Sequence, residues 1–265
     1  MRLWQDLSTD EFTELDPERT VALLPVGAIE QHGPHLPVST DATIAESICS
    51  GAAALVPDDV PLLLLPTHDV GKSTEHIQYE GTLTHTPETL LHSWMEIGES
   101  VARAGVRKLM FFNAHGGQPQ VMEICCRELR VKCKMFALGC NGWSFGSPDA
   151  DVPGDEVRHG IHAGQVETSM MLHLRPDLVK MDKAQNFSGL LAEVEADYDH
   201  LRVIGSTYMG WISNDLHPAG CSGDATAATA ELGELYCNHY ITSMAKLIQE
   251  VSAYPLSRVR DRSDW

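Results

Sequence analysis

The run T-V-A-L-L-P-V-G-A-I at residues 20–29 is short, aliphatic and apolar on both parities. A strand apolar on alternate positions covers one core. One that is apolar throughout must be buried on both faces, the condition of a parallel sheet sandwiched by helices. V-P-L-L-L-L-P (60–66), V-R-K-L-M-F-F-N (106–113) and C-K-M-F-A-L-G-C-N (133–141) supply further strands. Between and after them lie helical patterns. Ser39, Thr40 and Asp41 offer an N-cap to an amphipathic helix over 42–56. Residues 86–105 open with Pro near the first turn and end on Gly, the usual helix asymmetry. Helices are also expected over 118–132, over 162–174 before Pro176, and over 225–251. Strands alternating with helices imply an α/β sandwich around a mainly parallel sheet. No repeat, low-complexity tract or long linker divides the chain, so residues 1–265 read as one domain.

Charge excludes several kinds of partner. Nineteen Lys and Arg stand against 37 Asp and Glu, for a formal net charge of −18, and no basic block occurs. A nucleic-acid or anionic-membrane footprint is therefore not expected. The seven cysteines are odd in number and scattered, with no C-x-x-C pair, so they read as core-filling thiols in a reducing compartment. The N-terminus shows no signal-peptide apolar region and no stretch approaches membrane-spanning length, so a cytoplasmic location is expected.

Potential metal ligands gather where the strands end. Glu30 and His32 are two apart, on the same side of an extended backbone, and Asp41 opens the following helix. His115 in N-A-H-G-G-Q follows a second strand, with two glycines permitting a tight turn. H-G-I-H-A-G-Q-V-E-T-S contributes His159, His162 and Glu167, with His162 and Glu167 positioned to flank a site at a helix start. Ligands of open α/β sheets bind outside the carboxyl ends of the strands. Taken singly, Asp41 reads first as an N-cap, and His115 serves equally as a turn residue. Glu30 is harder to dismiss, because a carboxylate buried beside a core strand needs a cation or several donors. His35, His68, His76, His85 and His159 read as supporting or surface residues.

Together these segments carry a resemblance. L-P-V-G-A-I-E-Q-H-G-P-H-L-P-V-S-T-D, then H-I-Q-Y-E-G-T-L-T, N-A-H-G-G-Q, H-A-G-Q-V-E-T-S-M-M-L and S-G-D-A-T-A-A-T-A-E-L-G resemble the creatininase (creatinine amidohydrolase) family in order and spacing. The resemblance implies a three-layer α/β/α, creatininase-like fold and a hydrolase with two divalent metal ions per chain. One ion would be held by Glu30, Asp41 and His115, the other by His32, Asp41 and Glu167, with Asp41 bridging. Such donors suit Zn, Mn or Fe. The cations would acidify a shared water and polarise a carbonyl, and His162 matches the histidine that protonates the departing nitrogen.

Two departures bear on substrate. Creatininase itself has a glutamate where this chain has Gly117, and Arg158 stands where creatininase has one of the tryptophans enclosing its flat substrate. Trp143 is the remaining candidate for that enclosure. The G-G version is typical of relatives acting on formamides, peptides or cyclic inositol ketones. The expected activity is thus cleavage of a C–N bond other than a peptide bond, in a small cyclic amide or formamide. Ring opening of a cyclic ketone such as an inosose is the alternative. A non-catalytic metal-binding subunit would be expected to lack a ligand or the acid, and all six positions are intact. The family also implies a homo-oligomer, a hexamer. Light scattering should return a mass several times the 29.1 kDa chain, and a monomer mass would contradict this.

Overall fold

The computed structural model describes residues 2–150 and 152–261; the outermost residues of the expected chain-long domain lie outside the described set. Its centre is a five-stranded sheet of β1 (Arg2–Leu3), β2 (Val21–Val26), β3 (Leu62–Leu64), β4 (Lys108–Asn113) and β5 (Phe136–Asn141), in the order β1-β3-β2-β4-β5. Every pairing is parallel. β2 and β4 run in register from Val21 opposite Lys108 to Val26 opposite Asn113. All strand carboxyl ends therefore lie along one edge of the sheet.

The helices are α1 (Thr9–Phe12), α2 (Thr40–Leu55), α3 (Pro87–Arg103), α4 (Pro119–Cys133), α5 (Gly154–His159), α6 (Gln165–Leu174), α7 (Leu190–Asp197), α8 (Ser213–Leu216) and α9 (Ala230–Ala253). Strand parity divides them into two layers. Val21, Leu23, Met110 and Phe112 face a core built with Ile44 and Ile48 of α2, Met170 of α6, and Tyr240 and Ile248 of α9. Ala22, Leu24, Leu109 and Phe111 face the opposite core, built with Leu90 and Trp94 of α3 and Cys125 and Leu129 of α4. Both parities of β2 and β4 are buried, as their composition requires. A satellite cluster of Leu191, Val194, Val203 and Leu216 joins α7 to α8. Among the described residues no helix is long and apolar enough to cross a membrane.

Several boundaries differ from the sequence expectations. β2 ends at Val26, because a side chain on Gly27 would meet Ala42 Cα at 2.5 Å; the chain there is pressed against the start of α2. Pro25 is tolerated in this central strand because its backbone faces β3 beyond that strand's end. Leu23 and Pro25 accept from Leu65 and His68, and β3 stops at Leu64. The last helix starts twice: Asp224 caps a 3-10 turn over Ala225–Ala227, and Thr229 then caps α9 through Leu232 N. The two-residue strand β1 is too short to carry any pattern.

Lys108 is buried in mid-sheet, and its ammonium donates to Ser252 O at 2.6 Å and Tyr254 O at 2.7 Å. It thereby satisfies terminal carbonyls of α9 with a cation, the charge a helix C-terminus favours. Lys108→Met should leave both carbonyls unpaired and cost about 2 kcal/mol. Denaturant titration would read this as a lower midpoint, and an unchanged midpoint would exclude the clamp.

Candidate metal and proton-transfer site

The site grows from the carboxyl edge of the sheet. Beyond β2 the chain runs through Glu30 and His32, and Glu30 N donates to Val38 O at 2.9 Å, closing the loop that returns to α2. Asp41 then falls in the first turn of α2 and Glu167 in the first turn of α6, where helix dipoles favour anions. Asn113, the last residue of β4, shapes the next turn. Its Oδ1 accepts from His115 N at 3.0 Å and Gln118 Nε2 at 2.9 Å, and its Nδ2 donates to His115 O at 2.7 Å. His115 is thus held two residues past the strand by its own backbone.

Each imidazole has one nitrogen assigned by a carbonyl, which can only accept. His32 Nδ1 donates to Glu30 O at 3.1 Å, leaving Nε2 facing Asp41 Oδ1 at 3.2 Å and Glu167 Oε2 at 3.9 Å. His115 Nε2 donates to Lys72 O at 2.8 Å, leaving Nδ1 at 3.1 Å from Asp41 Oδ2 and 3.3 Å from Glu30 Oε2. His162 Nε2 donates to Gln31 O at 2.8 Å, and its Nδ1 lies 3.7 Å from Glu30 Oε1. Potential ligand atoms of Glu30, Asp41 and His115 lie within 4.8 Å of one another, as do those of His32, Asp41 and Glu167 and those of Glu30, His32 and His162. Asp41 is common to the first two groups.

Electrostatics distinguishes these residues from ordinary buried polar groups. Both oxygens of Glu30 and Oδ2 of Asp41 are buried without a hydrogen bond. Nitrogens of His76 and His115 face them at 3.1 to 3.3 Å. Burial alone would raise the Glu30 carboxyl, yet His115, His76 and His162 hold it well below its usual range. Burial likewise opposes charge on His32, but Asp41, Glu167 and Glu30 push it up to about 10. His115 is raised well above its ordinary value by Glu30 and Asp41, again against burial. Burial, with Asp41 and Glu30 nearby, raises Glu167 to about 7 against the pull of His32. His162 behaves oppositely: burial, then His32 and His76, keep its imidazole neutral. Buried carboxylate oxygens beside imidazole nitrogens that can give up a proton to a metal form a donor set that fits divalent cations.

The structure brings Glu30, His32, Asp41, His115, His162 and Glu167 together, and corrects details of how each arrives. Asp41 does not cap its helix; Ser39 occupies that position and Asp41 turns both oxygens toward histidines. His162 precedes α6 instead of opening it, on an isolated bridge to Ser222, and Ala163 follows in the left-handed region at φ 55°. Ala163 N donates to Glu167 Oε2 at 2.6 Å, tying that turn to the helix. Gly116 and Gly117 do form the turn after β4, but neither has a positive φ, so the backbone there does not itself require glycine. Trp143 is 49% exposed just after β5, and the Arg158 side chain is exposed and paired with Asp155 and Glu195.

Two contributors, Gln31 and Glu156, escaped the sequence reading, and His76, read there as a supporting or surface residue, lies in the site itself. His76, buried, sets Nε2 3.3 Å from Glu30 Oε1 and its ring centroid 4.5 Å from that of His162. Gln31 donates to Gly220 O at 2.7 Å and so ties the first motif to the last loop. Glu156 accepts from Gln165 N at 2.7 Å and Asp224 N at 2.8 Å, locking the start of α6 to the S-G-D segment. Only the H-I-Q-Y-E-G stretch hinted at His76. His35, also buried, sets Nε2 2.9 Å from Thr168 Oγ1 and stacks on Phe187, away from the carboxylates.

The chain is similar to known proteins of one family. The sequence profile of the creatininase family (creatinine amidohydrolase) matches residues 5–248. The mycofactocin precursor peptide peptidase of Mycobacterium ulcerans is 32% identical over 234 residues, covering 86% of this chain and 84% of that protein. Creatinine amidohydrolase of Pseudomonas putida is 30% identical over 184 residues, covering 62% of this chain and 67% of that protein. A solved structure described as "Creatininase Mn" shares the fold at a TM-score of 0.75 and 23% identity, over 95% of this chain and 99% of that one.

Because the facing carboxylates raise His32 to about 10 and push His115 well above its ordinary value, a cation would have to displace protons from His32 Nε2 and His115 Nδ1 to bind there. Zinc added to metal-free protein near neutral pH should therefore release protons into a weakly buffered indicator solution. Its apparent affinity should rise as pH rises through the neutral range. Uptake without proton release would contradict the charged imidazoles.

Proposed function

The chain belongs to the creatininase family and is a hydrolase of that family, and we propose that it cleaves an amide C–N bond with the help of two divalent cations. The observation that carries this reading is the pair of ligand groups sharing Asp41, with the neutral His162 beside them. Glu30, Asp41 and His115 would hold one cation, and His32, Asp41 and Glu167 the other. When bound, such cations supply Lewis acidity to a carbonyl and lower the pKa of a nearby water.

The protein's own residues supply the proton handling. Gln31 O holds the proton on His162 Nε2, so Nδ1 is the basic atom directed at the site. A neutral imidazole there can take a proton from the attacking water and return it to the departing nitrogen, which leaves poorly unless protonated. The stack of His162 between His32 and His76, with ring centroids 4.2 and 4.5 Å away, keeps Nδ1 aimed at Glu30. His162 is accordingly proposed as the catalytic residue and the other five as ligands, within one domain.

Substrate choice follows from what does not enclose the site. Trp143 is half-exposed and the Arg158 side chain is exposed and paired with Asp155, so neither is packed as the wall of an enclosed slot for a flat ring. This supports an open mouth accepting an acyclic amide, and a peptide end falls in that class. The likeness to a peptide peptidase over 86% of the chain favours the same substrate and leaves no reason to restrict the reaction to non-peptide bonds.

Asp41→Ala should lose both cations, because its carboxylate is shared; elemental analysis finding a full complement would remove the bridge. His162→Asn should retain metal and fold but lose about two to four orders of magnitude in turnover. Its defect should shrink for amides with an activated leaving group. Near-normal turnover on an unactivated amide by the folded, metal-loaded variant would end the proton-transfer role.

A further inference from the structure

Gly117 sits two residues after His115, and a side chain there would collide with a carboxylate from elsewhere in the chain. A Cβ on Gly117 would lie 1.8 Å from Glu75 Oε1 and 2.5 Å from His115 Nε2. The space beside His115 that a side chain on Gly117 would need is occupied by Glu75, arriving from the 3-10 turn Thr74–His76. Glu75 is only 8% exposed, and its placement is built. Lys72 Nζ donates to Oε2 at 2.5 Å, and Ser213 Oγ donates to Glu75 O at 2.8 Å. Its Oε1 rests 3.9 Å from His115 Nε2. The same Lys72 supplies, through its main chain, the carbonyl that accepts the His115 Nε2 proton.

We propose that Glu75 is a positioning residue for His115, and that Gly117 is glycine so that this carboxylate can reach it. The inference rests on reading His115 as a metal ligand. The Lys72–Glu75 pair clamps the Lys72 carbonyl against one side of the imidazole while the Glu75 charge lies beside the same N–H. Both keep the proton on Nε2 and turn Nδ1 toward Glu30 and Asp41. A carboxylate or carbonyl behind a ligating histidine fixes its tautomer and strengthens it as a donor, and removing one typically weakens metal affinity about 10- to 100-fold. Glu75 does not join any of the ligand groups formed among the described residues, so its part is orientation and not coordination.

The test measures zinc affinity by chelator competition on metal-stripped protein, with the metal-free melting temperature and the visible spectrum of the cobalt-substituted form. Glu75→Gln should weaken zinc binding at the site that includes His115 about 10-fold or more and shift the cobalt spectrum, leaving the metal-free melting temperature in place. Glu75→Ala should weaken it further. Gly117→Ala should weaken zinc binding, and by less in a Glu75→Gly background where the space has been vacated. Lys72→Met, at a partly exposed side chain, provides a second route should the Glu75 variants not fold, and should move affinity in the same direction. Wild-type affinity and spectrum in Glu75→Gln or Lys72→Met, or equal Gly117→Ala penalties in both backgrounds, would overturn the proposal. His115→Ala serves as the reference. Undiminished zinc affinity in that variant would instead overturn the reading of His115 as a ligand.

Discussion

Asp41 is the constraint around which the site is arranged. One buried carboxylate faces His32 Nε2 with Oδ1 and His115 Nδ1 with Oδ2, at 3.2 and 3.1 Å. Holding an anion there without water is expensive. The chain meets that cost by placing Asp41 in the first turn of α2 and by bringing both histidines from strand ends. Parallel pairing of β2 with β4 is what makes the meeting possible, because in-register parallel strands deliver Glu30, His32 and His115 to the same edge.

Around that centre, the polar atoms that fix the imidazoles are mostly main-chain carbonyls. Glu30 O, Lys72 O and Gln31 O each take one proton, from His32, His115 and His162 respectively. The nitrogen left over points inward in each case. Two loops thus decide three tautomers without spending a further buried side chain on the task. The difference of His32 and His115 from His162 then comes from charge. His32 and His115 lie against carboxylates and are raised, whereas His162 lies between two imidazoles and is lowered.

Much of the sheet was legible from residues alone, since β2 is apolar throughout and β4 is apolar between Lys108 and Asn113, and their burial on both faces leaves no other arrangement. Helix cores were legible for the same reason, and helix starts less so. Periodicity cannot register the left-handed turn at Ala163 that sets His162 ahead of α6, nor the two successive caps at Asp224 and Thr229. The six residues of the candidate site were legible because strand ends and motif spacing concentrate them. Glu75, His76 and Glu156 were not. Their importance depends on approaches between distant segments, such as Glu75 over Gly117 and Glu156 between Gln165 and Asp224, which local sequence does not record. Gly117 shows the limit plainly: read locally it suggests a turn, and in three dimensions it is a vacancy for another residue's carboxylate.

The central claim is that unpaired oxygens on Glu30 and Asp41 are shaped for two cations that share Asp41. Anomalous diffraction from crystals soaked in zinc or manganese, collected on both sides of the metal's absorption edge, tests it most directly. The account predicts two peaks on either side of the Asp41 carboxylate, one bounded by Glu30 and His115 and the other by His32 and Glu167. A single peak away from Asp41, or fully metal-loaded protein with no peak among these residues, would contradict it.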